Sequence, residues 1–354
     1  MTGAAGDDPF SRLPGAVLGA GWDEGVPAHY GNPLGEQRRL TERGAIVDLS
    51  HRVVLRLAGA PGSAGAGRLL LERLGTADIV RASSAETLLL DPSGAVRHAL
   101  HVIDDGRAPW IIAEASQAGD LERRLGGEPG VALEDRSADF GVIGTFTAEL
   151  PETASVDGVP LVWHDPWPSA GAGGPRYAAA EPHPAQGWSW HESLVPRESL
   201  AALAGRVGAP GVAGALAFDA LRVEAWRPRQ VTEVDGTLTP RELDWARTAV
   251  PRDKVGYPGA RALRAAEARP AGRRLVMLYL DGSESVLPRH GAPVWLEVGG
   301  ERLVVGAVTT GAMHHELGPV ALAVVEREVP VRAPLNVDEA ETVVPALQEQ
   351  IVAA

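Results

Sequence analysis

TAVPRDKVGYPGARALRAAEARPAGRRLVMLYLDG, residues 248–282, is where the chain changes character. Upstream of Pro270, strand-like and helix-like stretches alternate. Downstream, RRLVMLYLDG, PVWLEVGG, RLVVGAVTTG and VALAVVEREVPV follow one another as short β-branched runs parted by Gly-rich turns. Runs of that length and spacing predict a small closed or nearly closed β-unit. A boundary therefore falls between residues 255 and 270, and the chain divides into residues 1–28, 29–254 and 255–354.

Working back from that boundary, GVAGALAFDALRVEAWRPR (Gly211–Arg229) reads as a helix running into a strand, and VPRESLAALAGRVG (Val195–Gly208) as a helix with Pro at an early position. Residues 162–192 are dominated by Pro, Gly and Trp and predict an ordered but irregular insert. Residues 87–114 hold three β-type runs broken by Pro-Ser-Gly and Asp-Asp-Gly, the chemistry of hairpin turns. Helical spacing recurs over Gly67–Gly75 and Gln117–Gly126, with strand-like content at Arg52–Gly59 and after Val131. The first 28 residues, rich in Gly, Ala and Pro without a sustained period, predict a disordered arm. Strands and helices thus mix throughout the first two parts.

At 354 residues the chain exceeds one ordinary core, so two or three packed units are expected. With 45% hydrophobic and 22% charged residues it has the balance of a soluble globular protein. No run approaches the roughly 18–20 apolar residues of a membrane helix, and MTGAAGDDPF has neither a basic start nor an apolar run; a cytoplasmic protein without a membrane partner is the expectation. A net charge of -13 argues against nucleic acid. The chain has no cysteine, which removes disulfides, thiolate nucleophiles and thiolate metal ligands.

Several segments share the order and spacing of a known family. GAIVDLSHRVVLRLAG (Gly44–Gly59) carries an Asp-x-Ser-His turn at Asp48, Ser50 and His51, a polar turn before a strand in its own right. ALRVEAWRPR (Ala220–Arg229) holds a Leu-Arg-x-Glu element, DKVGYPG (Asp253–Gly259) follows, and HHELGPVALAVVEREVPV (His314–Val331) closes the set. Together these resemble the glycine-cleavage T-protein superfamily, over about residues 29–335, and within it the YgfZ-like folate-binding branch. That branch has the signature Lys-Gly-Cys-Tyr-x-Gly-Gln-Glu. Lys254, Tyr257 and Gly259 match it, while Val255, Gly256, Ala260 and Arg261 replace its first Gly, Cys, Gln and Glu. The resemblance implies an α+β fold, a T-protein-like cloverleaf of mixed α/β domains with a C-terminal antiparallel β-barrel.

It also implies tetrahydrofolate, or a one-carbon derivative, as cofactor. Glu224 stands at the pterin-binding position, where a carboxylate offers two acceptors to adjacent N–H and NH2 donors. An ion pair of Glu224 with Arg222 or Arg227 is the plainer alternative. Arg227, Arg229 or Lys254 are candidates for the glutamate tail, and Trp226 or Tyr257 for a stacking face; a surface Lys254 and a packed Tyr257 are the alternatives. Where the aminomethyltransferases of the superfamily carry Asp-Asp, an ungapped register puts His98 and Ala99, leaving His98 or His101 as the available bases. His164–Asp165, His183 and His191–Glu192 match no metal-binding spacing, and no metal is expected.

Three functions remain open on these residues. One is a folate-binding, YgfZ-like accessory factor in iron–sulfur cluster maintenance, with a client protein as partner. A second is a tetrahydrofolate-dependent one-carbon transferase or demethylase with a rebuilt site. A third is a non-catalytic interaction module presenting Trp163, Trp167, Trp188 and Trp190, since exposed aromatic clusters mark interfaces.

Overall fold

The structure, a computed structural model, describes residues 8–42, 44–147, 149–169, 182–267, 272–283 and 286–352. It is a mixed α/β protein of two five-stranded sheets and a closed six-stranded barrel.

The meander read at 87–114 forms the heart of the first sheet. Its strand order is Ser84–Leu90, Val96–Asp104, Pro109–Ala113, Val53–Gly59 and Val131–Asp135, every pair antiparallel. The turns work as their residues dictate: Asp91 Oδ1 accepts from the amides of Ser93 and Ala95, and Asp105 Oδ1 from those of Arg107 and Ala108. Alternation splits the strands between two cores. Leu89, Leu100, Val102 and Ile111 pack under the helices Ala66–Leu74 and Ala118–Leu125, while Leu88, Ala99, Ile103 and Ile112 face the centre of the molecule.

In the second sheet the order is Val162–His164, His191–Pro196, Phe140–Thr145, Ile46–Asp48 and Val212–Ala213, with only the last pair parallel. Helix Arg197–Val207 covers its outer face through Leu200 and Leu203. The inner face meets the central core, where Gly144 lies under Trp190; a Cβ there would come within 2.0 Å of the indole.

The barrel begins at Arg273. Arg273–Leu280 pairs with Gly318–Glu326 on one side and with Thr342–Gln350 on the other, closing the ring through Glu301–His314, Pro293–Val298 and Leu335–Glu339. Closure leaves no free edge strand. Among the described residues no helix is long and apolar enough to cross a membrane.

Three expectations need correction. Residues 8–28 are not a loose arm: Phe10 is fully buried among Ile46, Ile143, Val195 and Leu203, and Val17–Leu18 pairs with Pro27–His29. Burial of an aromatic ring outweighs the local Gly and Ala content; residues 1–7 lie outside the described residues. No strand follows helix Ala215–Glu224 within Ala225–Arg229, because Trp226 takes a left-handed φ of 58° and the chain turns back, the Arg227 amide donating to Arg222 O at 2.8 Å. Trp163, Trp167, Trp188 and Trp190 are buried, none more than 4% exposed, so they form core and not a contact surface. The interaction-module reading built on their exposure is withdrawn.

Candidate functional site

A narrow cleft opens at the centre, between the first sheet, the end of the second and the segment after helix Ala215–Glu224. Strand Val96–Asp104 contributes Ala99 and His101 to it. Arg52 enters just before strand Val53–Gly59, Glu114 just after Pro109–Ala113, and Glu192 from His191–Pro196. Arg227 and Arg229 come from the turn at Trp226, and Trp163, Trp190 and Trp245 supply aromatic walls.

Every charge in this group is buried and paired. Arg52 Nη1 donates to Glu192 Oε1 at 2.6 Å, and Arg229 Nε to Glu114 Oε1 at 2.8 Å. Arg227 reaches Glu86 at 2.6 Å and Asp165 at 2.9 Å. Burial by itself pushes Glu114 upward, but Arg229 and Arg52 outweigh it and hold its carboxyl at about 2. Glu192 is likewise raised by burial and then taken below the usual carboxylate range by Arg52 and His101. Both therefore stand ionised at neutral pH. Charges desolvated to this degree persist only while their partners remain.

His101 is the histidine that lines the cleft. Its ring stacks on Trp163 with centroids 3.6 Å apart and planes within 2°. Nδ1 lies 2.8 Å from Glu192 Oε2. An ionised carboxylate can only accept, so Nδ1 carries the proton of the neutral ring and Nε2 holds the lone pair. That orientation is the one a general base requires.

His98 is placed differently. Three residues along the strand, an odd number, means the opposite face, where its Nε2 meets Asp120 at 2.6 Å and its Nδ1 meets Gln117 at 2.9 Å. Burial lowers its pKa against the opposing pull of Asp120. Of the two histidines, only His101 faces the cleft.

Of the residues expected to hold a cofactor, Arg227 and Arg229 line the cleft, and the other four do not. Glu224 ends its helix with its carboxylate 3.2 Å from His314 Nε2 of the barrel. The ion pair anticipated with Arg222 or Arg227 does not form; those guanidiniums bind Asp219 and Glu233, and Glu86 and Asp165. Trp226 is buried with Nε1 directed to Met277 Sδ at 3.1 Å. Lys254 and Tyr257 line a separate cavity. Sequence reasoning passed over Arg52 and Glu114, and weighed Glu192 only as a metal ligand beside His191. Arg52 directly follows the Asp-x-Ser-His turn, whose Ser50 amide donates to Asp48 Oδ1 at 3.0 Å, and that adjacency was the available signal. Among the described residues no cluster of three or more His, Asp or Glu is placed to hold a metal ion; Asp165 is taken up by Trp188 Nε1 and Arg227.

Residues 273–348, the barrel, match the glycine cleavage T-protein C-terminal barrel domain. An aminomethyltransferase of Synechococcus sp. strain WH7803 is 30% identical over 349 residues, covering 88% of this chain and 89% of that protein. The chain belongs to the aminomethyltransferase family. The family relationship extends to the aminomethyltransferase of Saccharopolyspora erythraea, 28% identical over 323 residues, 87% of this chain and 85% of that one. The fold agrees: the crystal structure of glycine cleavage system aminomethyltransferase T from Bartonella henselae superposes with a TM-score of 0.69 at 18% identity, over 96% of this chain and 93% of that one.

Proposed function

We propose that this aminomethyltransferase-family protein binds a reduced folate in the central cleft. The observation that carries the reading is a set of buried N–H groups that find no acceptor among the described residues, on residues that line it: Arg52 Nε, Arg227 Nη1 and Trp245 Nε1. A buried donor left unpaired costs about 1–3 kcal/mol, and a carbonyl-bearing heterocycle supplies the acceptors. Glu114 and Glu192 offer ionised oxygens to a pterin's donors, and Trp163 and Trp190 offer flat apolar faces. The donor set therefore suits a pterin. The volume is small: at about 40 Å³ the cleft holds a few waters, so a ring system enters only as Trp163 or Arg227 moves aside. A reduced folate, once bound, accepts one-carbon units on a pterin-ring nitrogen and the neighbouring bridge nitrogen.

The YgfZ-like subtype, a cytoplasmic location and a part in iron–sulfur maintenance belong to the same proposal; Lys254, Tyr257 and Gly259 of the DKVGYPG segment support the subtype, while the replaced positions 255, 256, 260 and 261 weigh against its activity. With glycine at position 256 and no thiol in the chain, such a role runs through the folate and a client protein, not through a cysteine.

A second reading, one-carbon transfer or demethylation, is favoured by one feature, the Glu192–His101 pair with Nε2 of the histidine left to act as base. The cleft-facing residues of that strand are Ala99 and His101, so the strand itself offers no carboxylate for the family's acid–base role.

The test is a titration with tetrahydrofolate followed by tryptophan emission, since Trp163 and Trp190 must respond to a ring placed between them. Quenching that saturates below about 100 μM supports the proposal. Unchanged emission together with no retention of folate on equilibrium dialysis overturns it. Incubation of the folate-loaded protein with N-methyl or aminomethyl donors separates the two readings: a one-carbon folate product that disappears in His101→Gln establishes transfer, and its absence in the wild type leaves binding alone.

A further inference from the structure

DKVGYPG, the segment that resembles the YgfZ-like signature, does not touch the central cleft. It walls a second and larger cavity of about 440 Å³, within the size range of small-molecule sites. Val250, Pro251 and Leu263 give this cavity an apolar body, and Arg252 and Arg264 stand at its polar end.

Three features distinguish it from a packing defect. Tyr257 is only 7% exposed as a residue, but its hydroxyl is not sealed from solvent and makes no hydrogen bond to a described residue, so it is available to a molecule in the cavity. The wall carrying Tyr257 is fixed on both sides. Lys254 Nζ donates to Ala77 O at 2.6 Å and meets Asp78 at 3.1 Å, while Gly259, at φ 84°, packs so tightly on the 91–94 turn that a Cβ would sit 2.6 Å from Asp91 O. Finally, two guanidiniums of the lining, Arg252 and Arg264, are exposed and make no ion pair with a described residue. Arg264 reaches only Lys254 O, at 3.3 Å, and Arg252 pairs with no described residue. Of the cavity's carboxylates, Glu242 is already engaged by Thr239 and by the Arg273 amide, and Glu267 is exposed at its edge.

We infer that this cavity is a binding site for an organic acid, a carboxylate on an apolar aryl or alkyl body. Arg252 and Arg264 take the carboxylate, Tyr257 donates its hydroxyl, and the apolar wall takes the body. Guanidinium binds a carboxylate in a bidentate fork and an amine not at all. A preformed wall loses little freedom on binding. The site is independent of the cleft and of the folate reading.

The experiment uses the full chain and a series from phenylacetate to 4-phenylbutyrate, each beside its matched alcohol and amine, by ligand-observed NMR and calorimetry. The expected result is millimolar or tighter binding of at least one acid, with its alcohol about tenfold weaker and its amine silent. Tyr257→Phe should weaken the acid about fivefold and Arg252→Gln with Arg264→Gln should bring it to the level of the alcohol. Ala265→Trp, at an exposed position lining the cavity, should abolish binding while leaving the tetrahydrofolate titration as in the wild type. No acid binding at about 1 mM, equal binding of the amines, or an unchanged affinity in Ala265→Trp overturns the inference. Displacement of the acid by tetrahydrofolate overturns its independence.

Discussion

Replacing Glu192 by Gln removes the charge on which the central cleft is built. Its carboxylate is fully buried and accepts from Arg52 Nη1 at 2.6 Å, Trp190 Nε1 at 3.1 Å and His101 Nδ1 at 2.8 Å. Glutamine keeps the shape and one acceptor, but it leaves Arg52 with Glu114 at 3.8 Å as its remaining anionic partner. Removing one member of a buried pair costs about 3–5 kcal/mol, and the retained amide oxygen places this variant near the lower end. Three kcal/mol shifts the folding equilibrium by roughly a hundredfold. The pH dependence has a definite sign. Because the folded pKa of Glu192 lies below the unfolded value of about 4.3, its contribution is complete above that pH and is lost as pH falls toward the folded pKa. The loss runs at up to about 1.4 kcal/mol per pH unit. Urea unfolding of wild type and Glu192→Gln, followed by tryptophan emission at pH 7, 5, 4 and 3, measures both quantities. A gap of about 3 kcal/mol at pH 7 that narrows below pH 4 is expected; a gap under about 1 kcal/mol at pH 7, or one that does not narrow in acid, refutes the reasoning.

Three other outcomes follow from single positions. Gly144→Ala drives a methyl into the Trp190 ring and should destabilise by about 2–3 kcal/mol, read as a lowered urea midpoint, with a near-neutral result contradicting the packing. Phe10→Ala should cost about 3–5 kcal/mol, whereas a loose arm would cost nothing. Burial, reinforced by Asp8, pushes Asp48 up to about 8, so the folded state holds a proton that the unfolded chain releases near pH 4. Stability from this group therefore falls as pH rises from about 4 to 8; Asp48→Asn, which can still accept from the Ser50 amide, should flatten that slope, and an unaltered slope would assign it to other groups.

Much of the fold was legible because its punctuation is local. Asp91–Gly94 and Asp105–Gly106 build turns from their own side chains and backbone freedom, and the β-branched runs after Pro270 pair with one another into a closed barrel. Phe10 was not legible, since its neighbours Ile46, Ile143 and Val195 are scattered through the sequence and only tertiary packing gathers them. The cleft was half legible. Arg227 and Arg229 were found through a family element, but the same element suggested Glu224, which the end of its helix turns toward His314 of the barrel. Glu114 and Glu192 looked like residues at the margins of a strand and an insert; their meaning depends on Arg229 and Arg52, which lie 115 and 140 positions away. His98 and His101 were indistinguishable as residue types, and strand alternation together with Glu192 separates them.

The central claim, that a reduced folate occupies the cleft and not the barrel side of helix Ala215–Glu224, is tested most directly by calorimetric titration of tetrahydrofolate into wild type, Trp245→Phe and Glu224→Gln. Trp245 Nε1 has no hydrogen-bond partner among the described residues, so its removal leaves the ion pairs intact while taking one donor from the cleft. The account predicts saturable binding to wild type and Glu224→Gln alike and about tenfold weaker binding to Trp245→Phe. Absence of binding at about 1 mM, or binding lost in Glu224→Gln and preserved in Trp245→Phe, contradicts it.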